Sequence, residues 1–170
     1  MTIAMQPIYT QTVGSGGVSM VTFNNIPQTY TDLKIVISSR STYTSGMDSL
    51  GIYFNGSQAN ISNTFVTGNG SSAASNRSTY RAVGANDSAF ATANTFANTE
   101  IYIPNYTSSN FRQMLIDSVT ENNATPSNQL LGANLWSQTT AITSLSFDNS
   151  TSGQNFVQYS TFSLYGITKG

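Results

Sequence analysis

The sequence predicts an all-β chain, and three observations carry that reading. Apolar and polar residues alternate with period two in short runs, Gly, Pro and Asn clusters punctuate those runs, and the i, i+3, i+4, i+7 spacing of an amphipathic helix is almost absent. Ser (25), Thr (23) and Asn (18) supply 66 of the 170 residues, against 6 Lys or Arg and 7 Asp or Glu. Polarity is therefore carried by hydroxyls and amides, which suit turns and half-buried pleated surfaces. Nine Tyr, nine Phe and one Trp at a net charge of −1 separate the chain from disordered sequences, which combine high charge with few aromatics. A single domain of this length buries roughly 70% of the surface its unfolded chain exposes.

In chain order, residues 8–13 alternate, Gly14-Ser15-Gly16-Gly17 turns the chain, and 18–23 alternate again, which reads as a hairpin or a sheet-edge arm. Residues 1–17 are thus expected to form an N-terminal arm or edge strand, and 18–170 a single β-sandwich domain. Asn24-Asn25-Ile26-Pro27 stops the second run, because Pro cannot donate to a ladder. Leu33, Ile35 and Ile37 then share one face of a strand, with Lys34, Val36 and Ser38 on the other. Leu50, Ile52 and Phe54 repeat the pattern ahead of Asn55-Gly56, the strongest short turn signal present. Residues 68–76 and 84–94 read as exposed loops, the second holding a short helix near 88–93 with Ser88 as its N-cap.

Strong strand signals return over residues 99–103, 113–120, 129–136, 142–147 and 157–167. They are separated by Pro104-Asn105, by Asn122-Asn123-Ala124-Thr125-Pro126 and by 148–153, and weaker candidates lie at 64–66 and 78–82. About eight to ten strands with long connections favour a jelly-roll-like antiparallel β-sandwich over a closed barrel or an immunoglobulin-like sandwich, which runs nearer seven to nine strands in about 100 residues.

The composition also bounds the chemistry. There is no His and no Cys, so His-based proton transfer, thiol catalysis, disulfides and thiolate zinc sites are all excluded. Asp117 and Glu121 share a strand face but stand about 13 Å apart by strand rise, too far for a glycosidase pair. Asp32, Asp48, Asp87, Glu100 and Asp148 fall at strand ends or in loops and read as solvated turn residues without metal-loop spacing. The Gly-rich turns lack the helix and Lys of a phosphate loop. Six scattered cations make no phosphate-binding footprint, and no apolar run reaches the ~18 residues of a membrane helix. The start of the chain lacks the basic and apolar regions of a secretory signal, which points to synthesis and use in a cytoplasm. The expectation is a non-enzymatic chain with no cofactor, no metal, no nucleic acid and no membrane.

Aromatic and bulky residues that alternation leaves off the core are the candidate interface. Trp136 shares a strand face with Leu130, Gly132 and Asn134, a mixed surface that suits an interface or a core edge. In the last strand Phe162 and Leu164 point inward, leaving Tyr165 and Ile167 on the opposite side. With Ile8 and Tyr9 of the arm, the expected interface set is Ile8, Tyr9, Trp136, Tyr165 and Ile167.

Phe23-Asn24-Asn25-Ile26-Pro27, the run from Tyr30 to Arg40, Leu50-Gly51-Ile52-Tyr53-Phe54-Asn55-Gly56 and Ser163-Leu164-Tyr165-Gly166-Ile167 together resemble tailed-bacteriophage virion proteins of the jelly-roll kind. That group holds capsid decoration, or cement, proteins and related tail-fibre or receptor-binding modules. The resemblance implies a homo-oligomer, a trimer, assembled in the host cytoplasm and bound to the major capsid protein on the virion surface, where it ties shell subunits together. An alternative implied by the same group is recognition of host surface glycans through Tyr, Trp136 and amide-rich loops such as Asn105-Tyr106.

Overall fold

The computed structural model describes residues 4–121 and 127–168. The expected turn at 122–126 and the first three residues of the arm lie outside them. The described residues form twelve strands and no helix: β1 Ala4–Thr12, β2 Met20–Phe23, β3 Asp32–Ser39, β4 Asp48–Phe54, β5 Ile61–Gly68, β6 Ala73–Ser78, β7 Ala82–Asn86, β8 Ala97–Ile103, β9 Arg112–Thr120, β10 Asn128–Trp136, β11 Leu145–Asn149 and β12 Thr161–Thr168.

Two antiparallel sheets result, a large one ordered β1-β12-β3-β8-β9-β10-β5-β6 and a small one ordered β2-β11-β4-β7. Eight of the strands make a jelly roll: β1-β12-β3-β8 faces β2-β11-β4-β7, and the connections from β1 through to β4, like those from β7 to β8 and from β10 through β11 to β12, cross between sheets. The other four are two insertions, β5-β6 between β4 and β7 and β9-β10 between β8 and β11. Both hairpins join the large sheet beyond β8 and double its width.

The expected core strands are present with the expected faces. Leu33, Ile35, Ile37, Leu50, Ile52 and Phe54 are all fully buried, packed with Phe147, Phe156 and Phe162 between the sheets. At Asn55-Gly56 both residues take positive φ (50° and 77°), the geometry of a tight hairpin turn, and Phe54 and Ser57 exchange backbone hydrogen bonds across it.

Four expectations are corrected. Of the hairpin or sheet-edge arm expected over 8–23, the hairpin does not form and the edge strand does: β1 pairs with β12 at the edge of the large sheet, while β2 pairs with β11 in the small one. The supposed loop at 68–76 is the turn 69–72 followed by residues 73–76 of the exposed strand β6, with Asn69 Oδ1 accepting from Ser71 N and Ser72 N in that turn. The loop at 84–94 begins as β7, where Gly84 packs so closely against β8 and β9 that a Cβ would meet Thr99 Oγ1 and Ser118 Oγ at 2.8 Å. No helix forms at 88–93; Ser88 Oγ instead accepts from Phe90 N at 3.1 Å in a turn.

Candidate functional site

The surface that the added strands create is the outer face of the large sheet. Along β9, Met114, Ile116 and Ser118 point into the sandwich while Gln113, Leu115, Asp117 and Val119 point out. The same alternation directs Gln129, Leu131 and Ala133 of β10 and Thr64 and Val66 of β5 outward.

Register sets these residues in two rows. One runs Val36, Glu100, Asp117, Leu131, Val66, Ser75 across β3, β8, β9, β10, β5 and β6, each residue the direct partner of the next. The other, two residues further along each strand, runs Lys34, Tyr102, Leu115, Ala133, Thr64, Arg77, with Tyr165 of β12 beside Lys34. Neighbouring strands are about 4.8 Å apart, so partners in a row touch.

The centre of this face is apolar and open: Leu115 is 65% exposed, Val66 56%, Leu131 54% and Val119 36%. Contiguous apolar surface of this kind marks interaction sites on folded proteins. Beside it a groove of about 550 Å³ is lined by Lys34, Glu100, Tyr102, Leu115, Asp117 and Leu131. Lys34 Nζ lies 2.8 Å from Glu100, offsetting the repulsion between Glu100 and its cross-strand partner Asp117.

Of the expected interface residues, Tyr165 and Ile167 do lie half-buried on the outer side of β12. Ile8 packs partly against the core, and Tyr9 stacks on Phe23 with ring centroids 5.6 Å apart while its hydroxyl donates to Asn24 O. Trp136 is corrected: it is 3% exposed and stacks on Phe54 at 4.9 Å, so within one chain it is core, not interface. The residues that do form the open patch, Leu115, Leu131, Val66 and Val119, escaped the sequence reading because alternation does not say which face of an unplaced strand turns outward.

Three acids expected in solvent are buried. Asp32 accepts from Tyr102 Oη and, at 2.9 Å, from Asn105 N, so it fixes the turn after β8. Asp48 Oδ1 accepts from Thr151 Oγ1 at 2.9 Å, and buried Asp87 supplies its backbone carbonyl to Ser41 N. Tyr106, half of the expected Asn105-Tyr106 glycan pair, is wholly buried with its hydroxyl on Pro27 O, and therefore presents no ring to a ligand.

The small sheet carries a second, polar cleft of about 350 Å³ lined by Tyr53, Gln58, Arg81, Asp148 and residues 149–155. Arg81 pairs there with Asp148, its guanidinium 5.0 Å from the Tyr53 ring centroid and 5.8 Å from that of Tyr80. Tyr53 Oη donates to Asp148 Oδ2 at 3.0 Å; burial, then that bond to a carboxylate, pushes the Tyr53 pKa up.

Searches against known protein families, characterised proteins and solved structures give no match to this chain.

Proposed function

We propose that this chain is a structural subunit of a tailed-phage virion, a decoration protein that binds the outer shell and stabilises contacts between major capsid subunits. The observation that supports it is the open apolar centre formed by Leu115, Leu131 and Val66 on strands added to the jelly-roll frame. Apolar area left in water by one subunit stabilises an assembly when a partner covers it, at roughly 25 cal/mol per Å². The jelly roll itself recurs in viral capsid and lectin domains, a support at the level of fold alone.

A second reading, recognition of host glycans, is favoured by the small-sheet cleft, where the half-exposed Tyr80 ring stands beside Arg81 and the polar 149–155 segment. Sugar faces stack on such rings while amides and hydroxyls bond their edges.

Quantitative mass spectrometry of purified particles, with copy number taken relative to the most abundant shell subunit, tests the first reading. Hundreds of copies support decoration of the shell. A few to a few tens move the chain to the tail and favour the second reading, and absence from particles overturns both.

A further inference from the structure

We propose that the outer face of the large sheet is a two-fold interface between two copies of this chain, with the symmetry axis running along the strands between β10 and β5. This goes beyond the assembly reading above, by naming a second copy of the chain rather than a shell subunit as the partner that covers the patch.

The two central strands are symmetric about that line, while Leu115 and Val119 of β9 lie to one side of it. Leu131 of β10 and Val66 of β5 are direct cross-strand partners and are both more than half exposed. A copy turned by a half-rotation about the line lays its β10 over this β5 and its β5 over this β10. Leu131 then meets the other copy's Val66 at two equivalent places, the self-complementarity that a closed dimer requires.

The charges follow the same axis. Beyond β10 lies β9 with Asp117, and beyond β5 lies β6 with Arg77, so acid and cation stand on strands equidistant from the axis. The half-rotation sets β6 of one copy over β9 of the other. Arg77 comes to rest above Leu115, one outward position or about 7 Å along the strand from Asp117, within reach of an extended Arg side chain. Among the described residues the ion pairs are Lys34 with Glu100 and Arg81 with Asp148; Arg77 and Asp117 enter neither. Two symmetric Arg77–Asp117 bridges flanking an apolar centre match the charge pattern that fixes orientation in an interface.

The area is sufficient. The four overlapped strands, β9, β10, β5 and β6, are 6 to 9 residues long. Their face projects roughly 500 Å² per copy, about the 1,000 Å² in total that a specific interface requires. The resemblance implied a trimer, whereas the pairing proposed for this face is two-fold.

Analytical ultracentrifugation of the intact chain over a concentration series decides the matter. The expected result is a monomer–dimer equilibrium that Leu131→Asp shifts to monomer by at least about tenfold in Kd, with a thermal melt unchanged at concentrations where both chains are monomeric. Asp117→Arg and Arg77→Asp should each weaken the dimer, and the double exchange should restore it, a rescue that mere misfolding cannot produce. A monomer at every concentration, a trimer, or a dimer indifferent to the charge exchange overturns the proposal. A monomer in solution with hundreds of copies on particles would remove the dimer and leave the decoration reading standing; a rescued dimer absent from particles would do the reverse.

Discussion

Arg112 lies over the indole of Trp136, its guanidinium 5.4 Å from the ring centroid, and the two residues are 1% and 3% exposed. The Arg112 charge is met by carbonyls rather than an ion pair: it donates to Asn110, Tyr106, Gln138 and Thr140 O, tying the turn before β9 to the turn after β10. Burial pulls its pKa below the usual guanidinium value. Arg112→Met fills the space but leaves those carbonyls unmet, and the expected loss is about 1–3 kcal/mol or more. Urea denaturation followed by fluorescence measures it directly, since Trp136 is the one tryptophan; a loss below about 1 kcal/mol would show that water replaces the guanidinium without penalty.

Asn55 does more than turn the chain. Its Oδ1 accepts from Thr143 N at 2.8 Å and Ser144 N at 3.1 Å, and its Nδ2 donates to Ala141 O at 2.8 Å, so the turn after β4 holds the segment entering β11. Asn55→Gly keeps the positive φ that the turn demands and removes the side-chain bonds alone. The expected cost is about 1–2 kcal/mol for these partly exposed bonds. Equal urea midpoints for the variant and the parent chain would mean the segment needs no such anchor.

Legibility in the sequence followed side-chain size. Strands whose inward residues are Leu, Ile or Phe, such as β3 and β4, were visible from alternation alone, and so was the turn at Asn55-Gly56. β7 was not, because close packing against β8 and β9 leaves room only for Gly at 84, which carries no apolar signal. β6 was missed for the opposite reason: it is exposed on both faces, so nothing selects apolar residues in it. The Glu100–Asp117 and Leu131–Val66 pairs join residues 17 and 65 positions apart in the chain, set by register rather than by any local motif. Trp136 was assigned to the right face of β10, yet which face turned inward depended on β7 and the Phe54 ring lying over it.

Gly51 is the socket of the Arg81–Asp148 pair. A Cβ at Gly51 would overlap the Arg81 guanidinium and press on Asp148 Oδ1 at 2.5 Å, and Asp148 is its direct partner across β4 and β11. Gly51→Val therefore expels Arg81 from its pair and from between Tyr53 and Tyr80. Side-chain exposures of 10% and 15% place the pair among largely buried ones, where removing one partner costs about 3–5 kcal/mol. Gly51→Val should approach the destabilisation of Arg81→Met, and in the double variant the two effects should fall well short of additive. Full additivity in a denaturation cycle would show that residue 51 acts elsewhere.

The alkaline limb of stability should report two tyrosines. Tyr53 and Tyr106 both have pKa values raised above the ordinary 10.0, chiefly because burial disfavours the phenolate; the Asp148 carboxylate adds to the effect at Tyr53. Both rings are neutral in the folded and unfolded chain below pH about 10, so their contribution is fully present there. Above that pH the unfolded chain releases its protons first, and stability falls until the pH passes the higher folded-state values. Ultraviolet difference titration should therefore find Tyr53 and Tyr106 ionising late, together with the loss of structure. Tyr53→Phe and Tyr106→Phe should each flatten the decline of the urea midpoint with pH above about 10. An unchanged slope in both variants would assign the alkaline loss to other groups.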